Sequence, residues 1–427
     1  MSLQERITEI KNGFTKTFWV ANIIELFERM AFYGSKAVLT VYLANKVGLG
    51  PQIAGTLAGL FSGVLYSLPI IAGTFVDRFG FRKSLMICFA IFTIGYALIG
   101  FAGMGFSQSI IAVTGKTPYI ISVLLLTAIG GSLIKPCIVG TVAKTSQPTV
   151  KSLGYSIYYM LVNIGGAIGP MIALQVREDL GIEFVLIMSS ITSFLMLLGT
   201  FFFYEEPVSN KDENNKNTSM LVVLKNMLMV FKNLKFMAFL TIFSGFWIMF
   251  WQIFYSFPFY ITEILKFERF ELLETVDAWT IIFLSVPITA LAKKLSPILS
   301  MSIGFLIASC SWLLLAYSPS VEMAIAAMVL FAIGEVTQAP RFYEYVADLA
   351  PSNQVGTFMG FAFLPVAIGS FVAGPLAGWL TINYFSGVSQ NPATAWYILS
   401  AIGFVSTAGM LLYNYFFVVR LQKKALS

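Results

Sequence analysis

Eight ionisable residues stand where a water-soluble protein would not put them. Glu25, Glu28, Arg29 and Lys36 fall within one apolar run of this chain, Lys135 within a second, and Glu335, Arg341 and Glu344 within a third. Four are acids and four are bases, so full pairing is possible. An acid and a base in a low-dielectric site hold each other ionised, and a carboxylate that loses its cation there takes up a proton. The chemistry on offer is ion pairing and proton transfer, not covalent catalysis. The sequence contains no histidine, and Cys88, Cys137 and Cys310 lie singly in apolar runs with no CxxC spacing. That pattern argues against a metal site or a disulfide framework and reads as small packing residues. There is no phosphate-cradling glycine loop and no hydrolase elbow. The chain is therefore read as a non-enzyme with no catalytic residue, no metal and no cofactor; a proton gradient is the expected driving force.

The elements that carry these groups must be membrane helices. Of the 427 residues, 57% are hydrophobic and 11% charged, against roughly 25% charged in soluble domains. Apolar runs long enough to span a bilayer, about 20 residues each, are predicted over 17–43, 53–76, 84–105, 119–143, 153–176, 183–204, 236–262, 276–292, 297–317, 321–346, 356–384 and 394–418. The eighth is short and opens at Asp277. A polar stretch over 205–235, with Glu205-Glu206-Pro207 and an Asn-rich segment, separates the sixth run from the seventh. This divides the chain into an N-terminal six-helix bundle (1–204), a cytoplasmic linker (205–235) and a C-terminal six-helix bundle (236–427). Met1 to Lys16 lacks an apolar core, so no cleaved signal peptide is expected. Basic residues crowd the segments on one side, as in Arg78, Arg82, Lys83, Lys293 and Lys294, while the opposite loops hold Lys46, Lys116, Arg177, Lys266 and Arg269. The positive-inside rule then places both termini in the cytoplasm. The net charge of +6 reports topology, not a nucleic-acid partner.

Charges at the membrane centre cost at least about 2.5–3.5 kcal/mol each on insertion scales, so these must face the interior and pair. At 100° per residue, Glu25, Glu28, Arg29, Phe32 and Lys36 fall within an arc of roughly 100°, with Tyr33 just outside it. Lys135 directly precedes Pro136 in the fourth span, and Glu335 lies deep in the tenth, the equivalent position in the second half. A proton arriving at Glu25 or Glu28 would release Arg29 or Lys135 and so bias one conformation over another. Arg341 and Glu344, near the cytoplasmic end, suit an additional i,i+3 pair. The halves also echo each other. Val162-Asn163-Ile164-Gly165 with Pro170 in the fifth span parallels Val366-Ala367-Ile368-Gly369 with Pro375 in the eleventh, the repeat plan of many transporters. Tyr158, Tyr159, Trp247, Trp251, Tyr255 and Tyr260 are candidates for lining a cavity.

The run Glu25-Leu-Phe-Glu28-Arg29-Met-Ala-Phe-Tyr33-Gly34 resembles the ExxERFxYYG signature of proton-dependent oligopeptide transporters, a branch of the major facilitator superfamily. Gly73 to Ser84, Gly130 to Pro136, Ser156 to Gly165 and the stretch from Gly334-Glu335 to Met359-Gly360 are similar to further family motifs, so the resemblance runs through most of the chain. It implies an all-α membrane protein of the major facilitator superfamily fold, with 12 transmembrane helices in two six-helix bundles, as a divergent member. It further implies proton coupling through Glu25, Glu28, Arg29 and Lys135, and substrate contacts from Tyr33, Lys36, Tyr158, Asn163, Trp251, Gln252 and Glu335, Trp251 standing where the family carries a glutamate. The activity implied is proton symport of di- or tripeptides, or a similar small zwitterionic solute, across a bacterial inner membrane. The alternative on the same fold is a proton-coupled exporter of drugs or metabolites. The expected partners are a peptide-like solute, protons and membrane lipid, with no nucleic acid, and the chain is read as a monomer.

Overall fold

The computed structural model describes residues 13–207, 228–351, 355–387 and 390–419. The predicted linker and the Asn-rich segment lie largely outside these residues, as does most of the stretch from Met1 to Lys16. The described residues form α1 (Lys16–Val41), α2 (Gly50–Ser67), α3 (Pro69–Phe79), α4 (Phe81–Phe101), α5 (Gln108–Thr114), α6 (Lys116–Gly131), α7 (Ile134–Thr145), α8 (Lys151–Asp179) and α9 (Ile182–Phe203). They continue with α10 (Leu234–Tyr255), α11 (Phe257–Glu263), α12 (Phe270–Ala292), α13 (Pro297–Tyr317), α14 (Val321–Leu349), α15 (Val355–Phe361), α16 (Leu364–Leu380) and α17 (Pro392–Asn414). Among the described residues, ten helices are long and apolar enough to cross a membrane, or eleven if the bent pair of α2 and α3 is one span. Helix α1 misses that measure because it holds Glu25, Glu28, Arg29 and Lys36; counted with it, the tally is the predicted twelve.

The departures from prediction have local causes. The second span is bent by 55° where Pro69 opens α3, since proline cannot donate into the helical ladder. The fourth is one span, Lys116–Thr145, with a turn at Ser132 and Leu133 that ends α6 and begins α7. The seventh divides at Ser256, with Pro258 in the first turn of α11. The eighth begins at Phe270, not 276, so Glu271 and Glu274 lie inside it.

Packing follows membrane rules: apolar residues outward, small residues and local polar bonds between helices. On α1, Trp19, Ile23 and Phe27 are exposed at one-turn spacing while Glu25, Glu28 and Arg29 are buried. Ser189 Oγ donates to Ala31 O (3.0 Å) and Ser190 Oγ to Thr93 O (2.6 Å), tying α9 to α1 and to α4.

Two compact units result. The first comprises 1–38 and 68–223, the second 39–67 and 224–427. Helix α2, which the sequence division assigns to the first half, thus belongs by packing to the second unit. It meets α16 almost backbone to backbone. A Cβ at Gly55 would lie 2.6 Å from Gly374 O, and one at Gly374 would lie 2.5 Å from Gly55 O. Ser370 Oγ donates to Gly59 O (3.0 Å) and Tyr255 Oη to Ala58 O (3.0 Å) beside this seam. Gly374→Ala is expected to cost about 1–3 kcal/mol through overpacking, read as a lowered unfolding midpoint. Gly73→Ala, where nothing lies within 4 Å, should leave it unmoved.

Candidate functional site

The first unit holds the predicted ion network. Along α1, Glu25 is 0% exposed, Glu28 3% and Arg29 3%. The Arg29 guanidinium pairs with both acids: its Nε lies 3.4 Å from Glu25 Oε1, one turn back, and also contacts Glu28 Oε2. Its Cζ sits 4.9 Å from the Phe32 ring centroid, an orientation that adds cation–π attraction. Lys135 arrives from the first turn of α7 and donates to Glu25 Oε1 (3.2 Å) and to Tyr158 Oη on α8 (2.8 Å). Pro136 is tolerated there because a helix's first turn has no N–H to lose. Two carboxylates therefore meet two cations and a phenol on three segments. Charge balances, but hydrogen bonding does not: Glu25 Oε2 and Glu28 Oε1 are buried without a hydrogen-bond partner among the described residues.

Glycines bring these segments together. A Cβ on Gly165 would lie 2.5 Å from Arg29 Cβ, and one on Gly169 would lie 2.5 Å from Met30 O. Only glycine lets α8 approach α1 this closely. The sequence echo then has a physical meaning. Gly369, the counterpart of Gly165, faces Trp247 so closely that a Cβ there would collide with it, and so admits α16 against α10 within the second unit.

The remaining predicted residues of the first unit are set around this core. Lys36 is 2% exposed. Tyr33 is half-buried, its ring edge-on to Phe32 at 5.4 Å. Asn163 is half-buried and donates from Nδ2 to Tyr159 O (2.8 Å), which leaves its carbonyl end for other contacts.

In the second unit, Trp251 and Gln252 tie α10 to α16. Trp251 Nε1 donates to Val366 O (3.0 Å), and its ring stacks on Tyr255 at 5.5 Å with 6° between planes. Gln252 Nε2 donates to Ala373 O (3.2 Å) and its Oε1 accepts from Ser256 Oγ (2.6 Å). Both side chains are almost fully buried and hold the helices together, where sequence reasoning expects a substrate contact. Arg341 pairs with Glu344 as predicted and also donates to Leu295 O (2.8 Å), at the end of the turn before α13. Glu335 is half-buried on α14, with Oε2 buried and without a hydrogen-bond partner among the described residues.

Sequence reasoning named none of three buried acids of α12 as site residues, and placed two of them, Glu271 and Glu274, outside the span. Glu271, Glu274 and Asp277 are 0%, 4% and 8% exposed. Their i, i+3, i+6 spacing places them along one side of the helix. That spacing was visible in the chain, but an apolar-run criterion stops at the first acid. Among the described residues no three acidic or cysteine side chains are grouped to hold a metal, and Cys88, Cys137 and Cys310 are free thiols.

The family model described as Major Facilitator Superfamily matches residues 21–276 and 269–426. A similar curated protein is the "Multidrug resistance protein MdtH" of Blochmanniella pennsylvanica, 22% identical over 392 residues, covering 91% of this chain and 90% of that one. The "Dipeptide and tripeptide permease B" of Photorhabdus asymbiotica is 27% identical over 169 residues, covering 39% of this chain and 32% of the permease. Among solved structures, a POT family transporter in complex with a thioalcohol conjugated peptide superposes with a TM-score of 0.75 at 17% identity, covering 93% of this chain and 96% of that one; at this identity the likeness speaks for the fold alone.

Proposed function

The chain belongs to the Major Facilitator Superfamily, and from that premise we propose that it is a proton-coupled secondary transporter that moves a small zwitterionic, peptide-like solute by alternating access. It is an integral membrane protein and a transporter, not an enzyme. The observation that carries the proton coupling is the buried network of Glu25, Glu28, Arg29 and Lys135, with one unpartnered oxygen on each carboxylate. Such an oxygen can accept a proton without first breaking a hydrogen bond. Neutralising Glu25 frees Lys135, which then has only the Tyr158 hydroxyl, and α7 loses its electrostatic hold on α1. A proton is thus converted into a change in which helix contacts are favourable.

For the solute, the first unit carries the buried Lys36 with Tyr33, Tyr158 and Asn163, and the second carries Glu335; the zwitterionic reading is supported by the resemblance of these residues to the oligopeptide-transporter motifs. The positive-inside distribution favours cytoplasmic termini, and the organisms of the similar proteins favour a bacterial inner membrane. A second reading, proton-coupled export of drugs, is favoured by one observation: the similarity to the multidrug resistance protein covers 91% of this chain, that to the dipeptide permease 39%.

The test is uptake of a labelled dipeptide into proteoliposomes with and without an inward proton gradient. Uptake driven by the gradient, reduced at least tenfold in both Glu28→Gln and Glu335→Gln, is the expected result. Absence of dipeptide uptake together with gradient-driven extrusion of a cationic dye would replace the importer reading with the exporter.

A further inference from the structure

Of the two oxygens that accept from Lys135, the phenol is the nearer. Its ammonium lies 2.8 Å from Tyr158 Oη and 3.2 Å from Glu25 Oε1. The same nitrogen is 5.4 Å from the Tyr158 ring centroid, close to the hydrogen-bond length plus the reach from centroid to hydroxyl. Lys135 therefore approaches along the C–O bond as a donor, not over the face of the ring. The ring is held from its other side. It packs against a buried cluster of Phe14, Phe18, Val142 and Val150, in which the Phe14 and Phe18 rings stack at 4.1 Å. Gly154, one turn before Tyr158 on α8, admits this cluster: a Cβ there would lie 2.6 Å from Ser146 Oγ and 3.1 Å from the Phe14 ring. A backbone clip closes it. Phe14 and Ser146 form an antiparallel bridge, Thr15 N donates to Thr145 O (3.2 Å) and Gln147 N donates to Gly13 O (2.9 Å). The segment before α1 is thereby joined to the turn between α7 and α8, the two helices that supply Lys135 and Tyr158. A continuous series of contacts runs from the clip through the aromatic cluster to Tyr158, Lys135 and Glu25, all within the first unit.

We propose that Tyr158 is the positioning residue for Lys135, holding the ammonium in place while Glu25 carries a proton. With Glu25 ionised, carboxylate and phenol share the ammonium. When a proton from water forms an O–H bond on Glu25, the charge that drew Lys135 is gone. Arg29, whose Nε lies 3.4 Å from the same Glu25 oxygen, then repels Lys135 without compensation from that acid. The Lys135 side chain is only 19% exposed, and an ammonium without an acceptor is costly there. Of its two acceptors Tyr158 Oη is the one left, and a phenol oxygen can accept from an ammonium while its own O–H donates elsewhere. Because the ring is wedged against the cluster, the lysine stays within reach of Glu25 and can draw the carboxylate back when the proton leaves. The resemblance counts Tyr158 among the solute contacts; here its hydroxyl serves Lys135 instead. The role in transport rests on the proton-coupled function proposed above; the hold of Tyr158 on Lys135 does not.

Tyr158→Phe removes the hydroxyl and keeps the ring that fills the cluster. Its effect on the thermal unfolding midpoint is measured in three backgrounds: the unchanged protein, Glu25→Gln, which imitates the protonated acid, and Glu25→Gln/Lys135→Ala, which also removes the lysine. The expected shift is largest in Glu25→Gln and absent once Lys135 is gone. The same shift in all three backgrounds would overturn the proposal. Dipeptide uptake driven by a proton gradient is then measured for Tyr158→Phe alone. A positioning role lowers the maximal rate at least tenfold while the half-saturating concentration moves less than about twofold. A raised half-saturating concentration at an unchanged maximal rate would make Tyr158 a solute contact and overturn the proposal. Midpoints that behave as expected in a protein that takes up no dipeptide keep Tyr158 as the residue that positions Lys135 and remove the function proposed above.

Discussion

Lys135→Ala is expected to abolish gradient-driven accumulation and also to destabilise the folded protein. Removing one partner of a buried ion pair leaves the other charge without compensation, at a cost of about 3–5 kcal/mol. Here the orphan is Glu25, which is 0% exposed and keeps the longer contact to Arg29. That cost corresponds to a factor of roughly 10²–10⁴ in an equilibrium constant, enough to shift the balance between conformations as well as that between folded and unfolded chain. The two effects are separable. Glu25→Gln/Lys135→Ala removes both charges and should recover most of the lost unfolding midpoint, while accumulation against a gradient stays absent because the proton acceptor is gone. Counterflow exchange, which needs no proton movement, should persist in the double variant. A double variant that regained gradient-driven accumulation would place the coupling elsewhere.

Gly165→Val should severely damage the packing of the first unit. The added Cβ would lie 2.5 Å from Arg29 Cβ and 3.0 Å from Leu26 O. Neither can retreat cheaply, because one belongs to a guanidinium held by two carboxylates and the other is helix backbone. Overpacking by a single methylene costs about 1–3 kcal/mol, and the branched side chain adds a second clash. The expected outcome is loss of most folded material on size exclusion in detergent, with Gly165→Ala partly recovered and lowered in midpoint. Gly199→Val, where nothing lies within 4 Å, is the matched control. Equal recovery of Gly165→Val and Gly199→Val would show that α8 and α1 tolerate separation, and would remove the reason given for the repeated glycine.

How much of this was legible in the chain depended on what each residue needed. The charged face of α1 followed from helical period alone, since four charges within one arc have no other solution in a membrane. The partnership of Glu25 with Lys135 was also foreseeable, because a buried acid and a buried base have few other choices. The register of α12 was not. Glutamate is a good helix former, so Glu271 and Glu274 do nothing to stop the helix; they only make its start look polar. Hydropathy reads the boundary with lipid, while these acids face inward, where hydropathy carries no information. Trp251 was identified as a departure from the family pattern, yet its indole partner, Val366 O, becomes apparent only once α10 and α16 are in contact. The placement of α2 in the second unit was likewise hidden, because glycines that let two backbones touch do not name the partner they admit.

One small feature at the turn between α3 and α4 bears on how such a protein is made. The chain turns at Gly80, which takes a φ of +85° between α3 and α4, and the first amides of α4 then point into the turn. They are met by Glu206: its carboxylate oxygens accept from Phe81 N (2.7 Å) and Arg82 N (2.8 Å), while the Arg82 guanidinium reaches back to Phe201 O. This carboxylate is synthesised 125 residues after the first amide it caps. Until the ribosome has delivered α9, water must serve those amides, and the end of α4 has no anion at its positive pole. Domains generally fold as units during synthesis. The hydrogen bonding of this turn is therefore completed only by residues that follow the last helix of the first unit.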